Sequence, residues 1–143
     1  MSEQQTYANH RRFDPPYHFF LMPFSLLGIL ATAYYLARHP SLQQTLALVL
    51  AIASALLVLK VRLYSMRVQD RLIRLEETLR MQRLLPADLQ GRLQDLSPAQ
   101  FVGLRFASDG ELAERVREAL DQKLGGEAIK KQIKDWRPDT FRV

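Results

Sequence analysis

Residues 41–85 contain neither glycine nor proline and lie between Pro40 and Pro86, and this uninterrupted run constrains everything else the chain can do. Helix breakers bound it and none falls inside, so it is expected to form one helix about 67 Å long at 1.5 Å per residue. Its character changes partway. Residues 46–59 are almost wholly apolar, whereas from Lys60 onward charges recur among spaced apolar positions. A helix of that length and polarity crosses a bilayer and continues beyond it. We therefore read a membrane span over 42–59 that runs on into an amphipathic stalk over 60–85.

The segment before it carries a second apolar run. Residues 1–16 are mostly polar and end in Pro15-Pro16, which disfavours a helix running through the join. Residues 17–36 then give twenty uncharged, mostly apolar positions, the length a spanning helix needs. Tyr17, Phe19, Phe20, Tyr34 and Tyr35 stand near its ends, where interfacial aromatics are expected. A secretory signal peptide is the competing reading, with Ala31-Thr32-Ala33 imitating a cleavage site. Against it, the apolar run starts late, continues past that tripeptide and is soon followed by another. With only residues 37–41 between them, the two runs form a transmembrane hairpin over 17–59.

Basic residues near the spans set the expected orientation. Arg11 and Arg12 precede the first; Lys60, Arg62 and Arg67 follow the second; the connection carries only Arg38. The positive-inside rule then puts both termini in the cytoplasm. Small residues offer a packing seam: Ala47, Ala51 and Ala55 recur every four positions and share a helical face, with Gly28 as a partner on the first span. That face suits either the protein's own hairpin or a neighbouring helix.

The stalk carries its own pattern. Val61, Val68, Leu72, Leu75 and Leu79 are spaced by seven, four, three and four, a heptad-like seam supported by Asp70–Arg74 and Glu76–Arg80 pairs four residues apart. Ser65 and Gln82 interrupt its extension, so packing against the C-terminal helices suits the seam as well as self-association does. Lys60, Arg67, Arg71 and Arg74 form a basic stripe on the same helix. The stripe reads as a solvated face with topology signals near the membrane; in the alternative, Lys60, Arg62 and Arg67 also serve lipid, which leaves Arg71 and Arg74 for an acidic neighbour.

Residues 86–143 read as a small helical domain. Leu89, Leu93 and Leu96 share a face, and Ser97-Pro98-Ala99-Gln100 is a capping box with proline at the first helical position. Ser108-Asp109-Gly110-Glu111 reads as a second box, opening a helix lined by Leu112, Val116, Leu120 and Leu124 and stopped by Gly125-Gly126. A last helix from Glu127 buries Ile129, Ile133 and Trp136 before Pro138. Trp136 is a core anchor on that spacing, or else part of a docking surface. No alternating strand pattern is present.

Several function classes are disfavoured. The net charge of +5 resides near the membrane: residues 60–83 hold seven basic side chains against three acids, whereas 84–143 balance ten against ten. A nucleic-acid-binding domain is not expected from a neutral unit. With no cysteine, thiolate metal sites and cysteine nucleophiles are excluded. No metal-binding histidine pair, glycine-rich phosphate loop or nucleophile elbow occurs, so no catalytic residue, metal site or cofactor is assigned. His18, at the start of the first span, is the one weak cofactor-binding candidate.

The two ends suggest a family. Tyr7-Ala8-Asn9-His10-Arg11-Arg12-Phe13 with Pro16-Tyr17-His18, and Ile129-Lys130-Lys131 with Lys134-Asp135-Trp136-Arg137-Pro138-Asp139, resemble an uncharacterised bacterial family of small two-span membrane proteins. Arg71-Leu72-Ile73-Arg74-Leu75-Glu76-Glu77 and Leu104-Arg105-Phe106-Ala107-Ser108-Asp109 resemble it too. The resemblance implies a membrane placement and an intact N-terminus, and supplies no catalytic residues.

The expectation is thus an all-α membrane protein of a bacterial cytoplasmic membrane: a hairpin, a stalk and a helical domain. Its function is expected to be non-catalytic, as an accessory, assembly or scaffold component. Partners are membrane lipid and either further copies or a larger membrane complex, met through Val68, Arg71, Leu72, Arg74, Leu75, Leu79 and Trp136. The alternatives are a module responding to anionic lipid and a cofactor-carrying subunit using His18.

Overall fold

The computed structural model describes residues 5–10 and 14–139; Arg11 and Arg12, expected to help set topology, lie outside the described residues. The helix that begins at Pro16 winds first as a π-helical segment, Pro16–Leu21, and then as α1, Met22–Arg38. Pro23 supplies a reason. A proline ring clashes with the carbonyl four residues before it, and a wider turn displaces that carbonyl. The break at His39 and Pro40 is followed by Ser41, whose hydroxyl accepts a hydrogen bond from the Gln44 N–H at 3.2 Å. From there α2 runs unbroken over Leu42–Leu84, until Pro86 prevents its continuation.

Contacts divide the chain into two units, Arg12–Met66 and Met1–Arg11 with Arg67–Val143. Pro16–Arg38, in the first unit, and α2, which begins there and continues into the second, are both long and apolar enough to cross a membrane, and their most apolar windows are 0% buried. Over the apolar stretches the half-buried positions are Ser25, Gly28, Ile29, Thr32, Ala33 and Leu36 on α1, and Gln44, Ala47, Leu48, Ala51, Ala55 and Val58 on α2. The alanine face is therefore half-covered within the chain. A side chain added at Gly28 would meet nothing within 4 Å, so this glycine is not a point of close approach in the single chain. Hydroxyls are satisfied locally: Ser25 donates to the Leu21 carbonyl at 2.7 Å, Thr32 to Gly28 at 2.8 Å and Ser54 to Leu50 at 2.8 Å.

The second unit is built on the C-terminal half of α2. It adds α3 (Ala87–Gln90), a 3-10 turn (Leu93–Asp95), α4 (Pro98–Leu104), α5 (Leu112–Asp121) and α6 (Gly126–Gln132). Met81, Leu85, Leu89, Leu93, Leu96, Phe101, Leu104, Phe106, Leu112, Val116, Ile129, Ile133 and Trp136 form one buried cluster. The expected face of Leu89, Leu93 and Leu96 is inside it. The α4 capping box forms in full, and the Gln100 side chain also donates to the carbonyls of Ala119 and Leu124 at 3.0 and 2.9 Å, tying α4 to the end of α5. No strand occurs among the described residues beyond a single antiparallel bridge, Ala107 to Trp136.

Four local expectations are corrected. The second capping box does not form: the Ser108 N–H donates to Asp135, and the Glu111 carboxylate accepts from the N–H groups of Lys134 and Asp135 instead of closing back on Ser108. α5 ends at Asp121, before Leu124, and Lys123 takes the left-handed conformation at φ 51°. Gly125-Gly126 therefore stops nothing. Gly126 is required by contact, since a Cβ there would overlap the Ala99 carbonyl and one at Gly103 would lie 2.8 Å from the Gly126 oxygen, so α4 and α6 meet backbone to backbone. Finally, α6 ends at Gln132, and Trp136 is buried as part of the bridge to Ala107.

Candidate functional site

The face of α2 that the second unit buries is Ile73, Glu77 and Met81, positions four apart and hence stacked on one side of a helix. Two of these are apolar; the third is a carboxylate, and an acid on a core-facing stripe needs partners. Glu77 finds two. Its Oε2 accepts from Arg80 Nη1 at 2.9 Å and its Oε1 from Arg137 Nη1 at 3.0 Å. The Arg80 guanidinium, 11% exposed, also donates to the Ala107 carbonyl at 2.7 Å and to Asp109 Oδ1 through Nε at 2.9 Å and Nη2 at 2.6 Å. One arginine thus fastens the 107–109 turn to α2 while Arg137 fastens the C-terminal segment.

Around these groups lies a groove of about 660 Å³ between α2, the 105–109 turn and residues 137–139. Four arginines (80, 83, 105 and 137) and four carboxylates (76, 77, 109 and 139) line it, so their formal charges cancel and the groove selects neither anions nor cations by net charge. Arg105 is occupied as well, its Nε 3.1 Å from Asp139 and its guanidinium 4.6 Å from the Phe106 ring centroid. Within this set the expected Glu76–Arg80 pair does not form. Arg80 turns to the buried Glu77 and to Asp109, which together satisfy more of its donors than one exposed carboxylate would. The Asp70–Arg74 pair is likewise replaced, with Arg74 lying 5.8 Å from the Phe101 ring.

Beside the groove, the segment preceding α1 packs onto the domain. His10 is 4% exposed and its ring lies 5.8 Å from both Phe106 and Trp136, while Tyr7 stacks on it at 5.3 Å. Lys130 Nζ sits 2.7 Å from Glu127 and 3.5 Å from His10 Nε2, and the Asp139 N–H donates to the Gln5 side chain at 2.8 Å. Trp136, 8% exposed, donates to the Ile133 carbonyl at 3.1 Å and anchors this interior. Replacing His10 with alanine removes one aromatic neighbour of Trp136 and deprives Tyr7 of its stacking partner. We expect a loss of about 1 kcal/mol and greater acrylamide quenching of Trp136, the single tryptophan. Unchanged quenching would contradict this docking.

The other expected site residues fall in different surroundings. His18 turns its ring to the Asp14 carbonyl at 2.9 Å, as the first turn of its own helix allows. Arg62 is 16% exposed, 3.5 Å from Asp14 and 5.3 Å from the Tyr17 ring centroid; Lys60 lies 5.9 Å from Tyr64. Val68, Arg71, Leu72, Leu75 and Leu79 are all exposed, so the C-terminal helices take the opposite side of α2 from the heptad-like seam. Among the described residues, no group of three or more histidines and carboxylates is placed to hold a metal ion.

Glu77, Arg80, Asp109 and Arg137 were not legible as a set, because Asp109 lies 29 residues from Arg80 and Arg137 lies 60 from Glu77, and the only local signal is an acid on an apolar stripe. The four sequence stretches that suggested a family nonetheless meet here, through His10, Glu77, Phe106, Asp109, Trp136 and Arg137. The chain belongs to the family of unknown function DUF6526, whose model matches residues 1–143. No curated protein and no solved structure matches it.

Proposed function

We propose that this DUF6526 chain is a non-catalytic integral protein of a bacterial cytoplasmic membrane, a two-span hairpin whose helical domain acts as an accessory, assembly or scaffold part of a larger membrane complex. The observation that carries the reading is a contrast in burial. The apolar windows of both long helices are 0% buried by the chain itself, while the second unit packs a dense core. Exposed apolar helices of that length need another apolar phase, and lipid supplies one. Satisfied hydroxyls on both helices suit the same solvent, which offers no hydrogen bonds of its own.

Two further observations support the arrangement. His10, before the first apolar helix, packs on Trp136, after the second, as an even number of crossings requires. Six of the eight charges that line the groove, Arg80, Arg105, Arg137, Glu77, Asp109 and Asp139, pair with one another, a pattern that holds a fold together. The lipid-responsive alternative is weakened by Arg62, which Asp14 and Tyr17 already engage. Native mass spectrometry on protein gently extracted from its own membrane tests the proposal. A reproducible assembly with other membrane proteins is expected, and it should persist in a His18→Ala variant. A chain that always flies without a foreign subunit would contradict the accessory role.

A further inference from the structure

The stripe Val68, Leu72, Leu75 and Leu79 is 66, 52, 57 and 48% exposed, on a helix whose opposite face is buried in the second unit. Its spacings of four, three and four place Leu72 and Leu79 at a positions and Val68 and Leu75 at d positions of a heptad. In that register Arg71 is a g residue and Glu76 the following e residue. Both are exposed, Glu76 being also one of the residues that line the groove, and neither makes an ion pair within the chain among the described residues. These five-apart positions face one another across a parallel two-stranded seam.

We propose that this stripe is the seam of a parallel, two-fold homodimer, closed on its two sides by reciprocal ion pairs between Arg71 of one copy and Glu76 of the other. Charge selects both the occupant and the orientation. A second copy brings each arginine an acid and each acid an arginine, so both flanks are neutralised by one symmetry operation. An antiparallel pair would set g against g and e against e, opposing like charges at these two positions. Two heptads hold weakly in dilute solution. Copies sharing one bilayer and one orientation meet at a far higher effective concentration, and for this the inference rests on the membrane reading proposed above.

The chain has no cysteine, so single cysteines report the seam without background. In native membranes under mild oxidation, Val68→Cys and Leu75→Cys at d are expected to give disulfide dimers about fivefold more efficiently than Asp70→Cys at the outward f position, since a disulfide needs closely approaching Cβ atoms. Self-linkage at both d sites requires a parallel pair, because an antiparallel one brings only a single level into register with itself. In the Leu75→Cys background, Arg71→Glu should lower the dimer yield severalfold, and adding Glu76→Arg should restore it. Equal linkage at all three positions, linkage to a foreign protein in place of a second copy, or a charge swap without rescue would each overturn the dimer. Carbonate extraction of the same membranes separates the two ideas. Protein that stays in the pellet without the d-over-f pattern overturns the dimer alone, whereas protein that is released overturns the membrane reading and the dimer with it.

Discussion

Gly126→Ala should destabilise the C-terminal unit by about 3 kcal/mol, although alanine is the better helix former. Gly126 opens α6 where that helix crosses α4, and its added methyl would overlap the Ala99 backbone carbonyl. Backbone cannot rotate away as a side chain can. The helices must separate, and that opens the core around Phe101, Leu104 and Ile129, each 1% exposed or less. For a unit this small such a loss is a large share of its stability. Trp136 emission should then shift to the red and its urea midpoint fall, measured on the full chain in detergent. Gly91→Ala is the control: its backbone is helical and a Cβ there meets nothing within 4 Å, so the midpoint should stay within about 0.5 kcal/mol of the parent. Equal behaviour of the two variants would show that α4 and α6 do not meet at Gly126.

Glu77→Ala should be nearly as costly, again about 3 kcal/mol, for an electrostatic reason. The Glu77 carboxylate is 6% exposed and receives both Arg80 and Arg137, and truncation leaves the buried Arg80 to be balanced by Asp109 alone. The Arg137 half counts for less, since that side chain is 49% exposed and water replaces its lost partner. Arg137→Ala should accordingly cost under half as much as Glu77→Ala in the same urea titration. A larger loss from Arg137→Ala would mean that the C-terminal strap, and not the clamp on α2, supplies the stability.

What could be read from the residues follows from the range of the forces involved. The long α2 was legible because helix breakers act locally: Pro40 and Pro86 bound it and nothing breaks the 43 residues of Leu42–Leu84. The same holds for the α4 capping box, which needs only positions 97 and 100. The second box carried the same local signal and failed, because Glu111 had better partners 23 and 24 residues away in Lys134 and Asp135. Gly125-Gly126 misled in a similar way: glycine signals both a helix stop and a close crossing, and only the tertiary structure shows that Ala99 lies against it. The groove was the least legible part. Arg80, Asp109 and Arg137 look like ordinary surface charges until folding brings them to Glu77.

The heptad-like seam shows the opposite case. Its pattern left two partners open, and the buried stripe of Ile73, Glu77 and Met81 removes one of them by giving the domain the other face. The seam stays exposed because the helix carries two stripes, one filled within the chain and one not.

The central claim, that the two apolar helices cross a bilayer and leave the ends of the chain on one side, is tested most directly by side-specific labelling of single cysteines at His39, in the connection, and Gly110, in the second unit. Both positions are exposed, and a side chain at Gly110 meets nothing within 4 Å. With a membrane-impermeant maleimide on sealed cells, the account predicts that His39→Cys reacts and Gly110→Cys is protected until the membrane is opened. Equal labelling of both positions in sealed cells would contradict it.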